Sequence, residues 1–237
     1  MPHIKFGYYA LHYLNLWIRI ERAFLVGFGS EKRDERLNAL KAAATEFKVA
    51  RTLHSHGKKG PARYEPLLEI LDDQPRDLVK GRPPLDVVEI VQKIERQIAK
   101  IYGDKKKDDS ESSVLSATTK LLWVKFGSPV VIYDKQAREA LGTPDGDLSK
   151  FYTCWHQGYR KHKADIERAC AAIATMQDHW YPTWTDLDHG EIDEAISSPW
   201  FRDRVFDIYL WHKGDRSVWQ PPMIEAPITL SGPPTSS

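Results

Sequence analysis

The segment VLSATTKLLWVKFGSPVVIYDKQAREALG, residues 114 to 142, carries an amine at Lys120 and a carboxylate at Asp134, 134 − 120 = 14 positions apart. Asp134 closes one of the most apolar stretches of the chain and stands where a short helical pattern, KQAREAL, begins. An aspartate there is a good N-cap, because its side chain accepts a backbone N–H that the first helical turn leaves without a partner. A carboxylate held in this way can also face a positive charge that develops during a reaction. A lysine amine of lowered pKa can attack an electrophilic carbon.

Other clusters have weaker claims. His54-Ser55-His56 lies in a loop rich in Gly and Lys, where histidines are far more often solvated than bound to metal. Asp186, Asp188, His189 and Glu191 suggest a metal-dependent nuclease, but they also read as acids at a helix start, where the dipole favours negative charge. The runs 105–107 (KKK) and 160–163 (RKHK) are most simply solvated charge; facing DNA they would add affinity without specificity. Trp211 and Trp219 read as packing residues. No metal site is expected.

The elements that must carry these groups are helical. Hydrophobic residues make up 41% of the 237 residues and eight are tryptophan, so a sizeable core can form. Thirty-four basic residues oppose 33 acidic ones, so any affinity for nucleic acid must come from a local basic face. The two cysteines, Cys154 and Cys170, fit neither a metal knuckle nor a disulfide framework, which suits a cytoplasmic protein. Apolar residues recur at helical spacing after Tyr8, with Gly27 and Gly29 as breaks and Ser30 as a cap for a helix carrying Leu37, Leu40 and Ala44. Further helices are expected at PLLEILD, from Pro84 to a stop at Gly103, on either side of the Gly127-Ser128-Pro129 break, after an Asp147 cap, and over PWFRDRVFDIYLWHKG. The N-terminal stretch lacks the pattern of a signal peptide and is too polar to span a bilayer, so no membrane association is expected. The expected fold is all-α: one helical domain over 1–214, or two lobes meeting near 103–112, followed by a Pro/Ser-rich extended or disordered tail over 215–237.

Residues 115–122, LSATTKLL, resemble the hairpin of helix-hairpin-helix DNA glycosylases, the 8-oxoguanine glycosylase-like proteins. There a small-residue turn enters a helix whose first turn carries a lysine in some members. VVIYD-KQAREAL is similar to the second half of that motif, an extended segment ending on a catalytic aspartate that opens the next helix. ARYEPLLEIL and FDIYLWHKG also look like bacterial proteins of this fold that accompany phage defence. The cysteine cluster that holds an iron–sulfur centre in some members is absent, and no cofactor is implied.

The resemblance implies a DNA glycosylase that flips a damaged or modified base out of DNA and cleaves its N-glycosidic bond. Hypermodified phage cytosine is among the candidate bases, with antiviral defence as the role. Asp134 would be the catalytic carboxylate, and Lys120 a nucleophile or a phosphate contact. Ser116, Ala117, Thr118 and Thr119 would grip phosphate through their amides, and Lys125 would add a DNA contact. Tyr133, Trp155 and Tyr159 would form the walls of the base pocket. The protein would act as a monomer with DNA as its partner. The alternative is a non-catalytic DNA-binding module or defence adaptor of the same fold.

Overall fold

The computed structural model describes residues 6–53, 60–103, 114–180 and 189–215. Among these, every regular element is a helix and no strand occurs. His54, His56, Lys105–Lys107, Asp186, Asp188 and the tail beyond Asp215 lie outside the described residues.

The chain enters through α1 (Gly7–Leu16), which continues through a π turn (Trp17–Glu21) into α2 (Arg22–Phe28). A π turn holds an extra residue, so it rotates the face that follows it. Glu21, at its end, is fully buried. The α3 helix (Arg33–Glu46) starts three residues after Ser30. Ser30 is therefore not its N-cap; its Oγ accepts the Lys32 N–H at 3.1 Å and donates to Glu35 at 2.7 Å.

α4 (Glu65–Asp72) and α5 (Pro84–Tyr102) form as their periodicity requires, with proline in the first turn of each. On α5 the stripe Val87, Val88, Val91, Ile94 and Ile98 is buried. α6 (Leu115–Phe126) stops at Gly127, whose φ of 61° suits glycine. Residues 130–133 are extended and buried, and α7 (Lys135–Leu141) follows. α8 (Leu148–Ile173) is capped by Asp147, whose side chain accepts the Lys150 N–H at 3.0 Å. Among the described residues the final helices are α9 (His189–Ser197) and α10 (Pro199–Gly214).

The buried apolar side chains, from Phe6 on the first helix to Leu210 on the last, form one contiguous cluster. α10 packs against α1, α7, α8 and α9. Phe201, Val205, Phe206, Ile208 and Leu210 are buried on it, and so are three charged residues, Asp203, Arg204 and Asp207. Charges buried on a helix in this way must find partners inside the protein.

The C-terminal end of α10 lies directly on the backbone of α7. A Cβ built on Gly214 would stand 1.8 Å from the Gln136 carbonyl oxygen, so only glycine permits this approach. Gly214→Ala should push α7 away, lower the melting temperature by on the order of 5 °C or more, and displace Asp134 at the start of that helix. A thermal melt of the variant checks this; an unchanged melting temperature would show that the contact is loose.

Candidate functional site

Lys120 and Asp134 meet in one cleft. It has a volume of about 500 Å³, and Lys120, Asp134, Arg204 and Asp207 are among the residues that line it. His12, Phe47, Trp211 and His212 stand around it, and Lys48 reaches it from the end of α3.

Local chemistry explains the meeting. The Asp134 side chain accepts the Ala137 N–H at 2.8 Å, so it is the N-cap of α7. One residue earlier, the Tyr133 N–H donates to Thr119 Oγ1 at 3.1 Å. The neighbours of Lys120 and of Asp134 are thus joined directly, and the 14-residue excursion between them closes on itself. The extended segment is held from the other side by the Tyr152 hydroxyl, 3.3 Å from the Val131 nitrogen.

Burial pushes the Lys120 pKa down; the Asp134 carboxylate opposes this, while Arg204 and Lys48 add to it. That direction is the one a nucleophilic amine needs. Lys120 is the sixth residue of α6, so it stands in the second turn rather than the first.

The remaining hairpin residues divide. Residues 115–118 are already helical, so the small-residue stretch is the first turn of α6 and not a turn leading into it. Ser116 and Ala117 lie in that turn, where the Thr118 N–H donates to the Val114 carbonyl at 2.9 Å. The side chains of Ala117, Thr118 and Thr119 are buried, and Thr119 spends its hydroxyl on Tyr133 and the Ser116 carbonyl. Lys125 is half-buried and lines a different pocket, beside Arg36, Asp72 and Arg76. Five residues along a helix rotate a side chain by about 140° from Lys120, which accounts for the separation.

None of Tyr133, Trp155 and Tyr159 lines the cleft. Tyr133 packs edge-on against Phe151 at 5.0 Å, and Trp155, 1% exposed, stacks on Tyr159 at 5.2 Å. Trp155 reaches the site indirectly, through a 2.7 Å hydrogen bond from its indole N–H to Asp207 Oδ1. The aromatic surface at the cleft comes from elsewhere. Trp211, expected as a packing residue, is 38% exposed there. His12 stacks on Tyr8 at 5.8 Å and meets His212 edge-on at 6.0 Å. Burial lowers the pKa of both histidines, which favours neutral rings.

The buried charges form a chain. Arg204 Nη2 donates to Glu21 Oε1 at 2.9 Å, and Glu21 Oε2 accepts the Tyr13 hydroxyl at 3.1 Å. Burial opposes the Arg204 charge, but Glu21 and the neighbouring acids more than offset it, so its pKa is raised. The Trp123, Tyr13 and Phe47 rings enclose the guanidinium at 4.9, 5.4 and 5.7 Å. A sequence signal for this existed in the charges of RDRVFD on an otherwise apolar helix.

Comparison with protein-family models, curated proteins and solved structures finds no match for this chain. Its chemistry is therefore read from the site. Among the described residues no group of three or more His, Cys, Asp or Glu side chains is placed to hold a metal ion, and no helix is long and apolar enough to cross a membrane.

Lys48 has the left-handed φ of 56°, a place helices usually give to glycine. Its N–H bonds to the Thr45 carbonyl at 3.0 Å, and the Val49 N–H to the Ala44 carbonyl at 2.9 Å, the pattern of a Schellman stop. A lysine kept there against backbone preference, exposed beside the cleft, offers a charge to an anion. Lys48→Gly should melt at or above the parent temperature, because glycine takes this φ without strain. Thermal melts of both proteins check this, and a clearly lower melting temperature for the variant would show that the lysine side chain makes stabilising contacts here.

Proposed function

We propose that this chain is a DNA glycosylase of helix-hairpin-helix type that flips a damaged or modified base from DNA and cleaves its N-glycosidic bond. The observation that carries this reading is the pairing in one cleft of a capping carboxylate, Asp134, with a partly buried amine, Lys120, whose pKa burial lowers. Breaking the bond between C1′ and the base places positive charge on the sugar. A fixed carboxylate stabilises that charge and can orient a water. The amine can bond C1′ and form an imine with the opened sugar.

The surroundings support the same reading. The cleft volume lies within the range of small-ligand sites, and Trp211, His12 and His212 offer ring faces to an extruded base. The positive end of the α6 helix dipole and the Lys48 charge suit phosphate. Oxidised guanine, uracil, alkylated purines and hypermodified phage cytosines form the panel of bases to test, the last with antiviral defence as the role.

Asp134→Asn separates capping from catalysis, because asparagine caps about as well as aspartate. The variant should melt like the parent, still retard DNA in a gel, and excise base at least about a hundredfold more slowly. Alkali cleavage at abasic sites in the panel DNAs measures the rate. Excision that survives Asp134→Asn at full rate would move the catalytic acid elsewhere. DNA binding by the parent without excision on any substrate would favour a binding module or adaptor.

Lys120 is tested by chemistry specific to imines. Borohydride should trap a covalent protein–DNA adduct in the parent and none in Lys120→Ala. Excision without any adduct would reduce Lys120 to a charge that holds the DNA.

A further inference from the structure

Asp207, on α10, is a second carboxyl group in the lining of the cleft, and nothing in the Lys120–Asp134 chemistry uses it. It is 5% exposed. Its Oδ1 accepts the Trp155 indole N–H at 2.7 Å. Its Oδ2 is buried without a hydrogen-bond partner and stands 3.8 Å from Arg204 Nη1, beyond hydrogen-bond reach. Buried polar atoms are nearly always satisfied, so one left without a partner beside a cleft points to a ligand or a proton that completes it.

We propose that Asp207, in its protonated form, is the proton donor to the leaving base, opposite Asp134, which faces the sugar. This assignment rests on the glycosylase reading and supplies the acid that reading lacks.

The charge count supports a proton on Asp207. Arg204 is already paired with Glu21, so an ionised Asp207 would leave a net negative charge buried in the core. Burial raises the Asp207 pKa to about 8; Arg204 and the Trp155 hydrogen bond oppose the rise, and Asp203 and Asp134 add to it. The groups facing it are Asp203 and Arg204 on α10, Trp155 and Tyr152 on α8, and Lys120 and Asp134 in the lining of the same cleft. Tyr13 and Glu21 reach it through Arg204. Two carboxyl groups in one site with such different surroundings divide naturally into an acid and a charge stabiliser. Trp155 acts as a positioning residue, since holding Oδ1 leaves Oδ2 as the oxygen that carries the proton.

The step balances as follows. The C1′–N bond breaks and its electron pair goes to the base, which takes the proton from Asp207 Oδ2. Water or the Lys120 amine bonds C1′ and gives a proton to Asp134. Exchange with solvent returns both carboxyl groups to their starting states.

Asp207→Asn keeps the size of the side chain and the acceptor for Trp155, and its amide can donate a hydrogen bond but cannot transfer a proton. Excision rates across pH 5 to 9 should show a KM within a few-fold of the parent and a kcat lower by about a hundredfold. The parent rate should fall as pH rises through about 8, and this fall should vanish in the variant. Thermal melts over the same range provide a second readout. The folded pKa of Asp207 lies above its unfolded value of about 4. Its contribution to stability is therefore complete below that value and lost as pH rises toward 8. The parent should lose stability relative to Asp207→Asn across this window.

An active parent together with an Asp207→Asn protein of unchanged kcat and unchanged alkaline limb would overturn the donor role alone. A parent that excises no base from any DNA in the panel overturns the glycosylase reading, and the donor role with it. Parallel melting curves for the two proteins would show that Asp207 carries no proton.

Discussion

The ion pair between Glu21 and Arg204 joins the π turn after α1 to α10, across 183 residues of chain. Two buried charges are tolerated only when each is satisfied, and here the Tyr13 hydroxyl and three aromatic rings complete the set. Removing one partner of such a pair typically costs ~3–5 kcal/mol, because the other charge is left uncompensated. The same pair shapes the cleft. Arg204 forms part of its lining, and because its charge is committed to Glu21, Asp207 beside it is left short of a counter-charge.

Around that pair the site is assembled from short, direct contacts. The Thr119 hydroxyl joins α6 to the extended segment before Asp134, Tyr152 pins that segment from α8, and Gly214 lets α10 lie on the backbone of α7. Each contact belongs to packing, yet together they fix the geometry of Lys120, Asp134 and Asp207. Sites carried on packed helices in this way need little rearrangement to hold a transition state.

The two acids of the cleft show how environment separates identical side chains. Asp134 sits at a helix N-terminus with a backbone N–H as partner and a lysine nearby. Asp207 is deep in the core, where burial favours the neutral acid.

Much of the local structure was legible in the sequence. The stripe on α5, the caps at Asp134 and Asp147, and the break at Gly127 follow from spacing and from the needs of helix ends, which are properties of neighbouring residues. Lys120 and Asp134 could be singled out for the same reason, since both lie in one segment. The rest of the cleft could not. Glu21 is a lone acid in an apolar helical stretch, and only the fold shows that it ends the π turn fully buried. Trp211 looked like packing and is exposed, whereas Trp155 looked like a pocket wall and is buried behind Asp207. Helical periodicity says that a face is covered, not by what, so residues brought together from α1, α3, α6 and α10 carry no common pattern along the chain. The sequence by itself determined the helices, their ends and the amine–carboxylate segment. Only the tertiary structure decided which charges are buried, and burial is what turns Asp207 from one acid among many into a candidate proton donor.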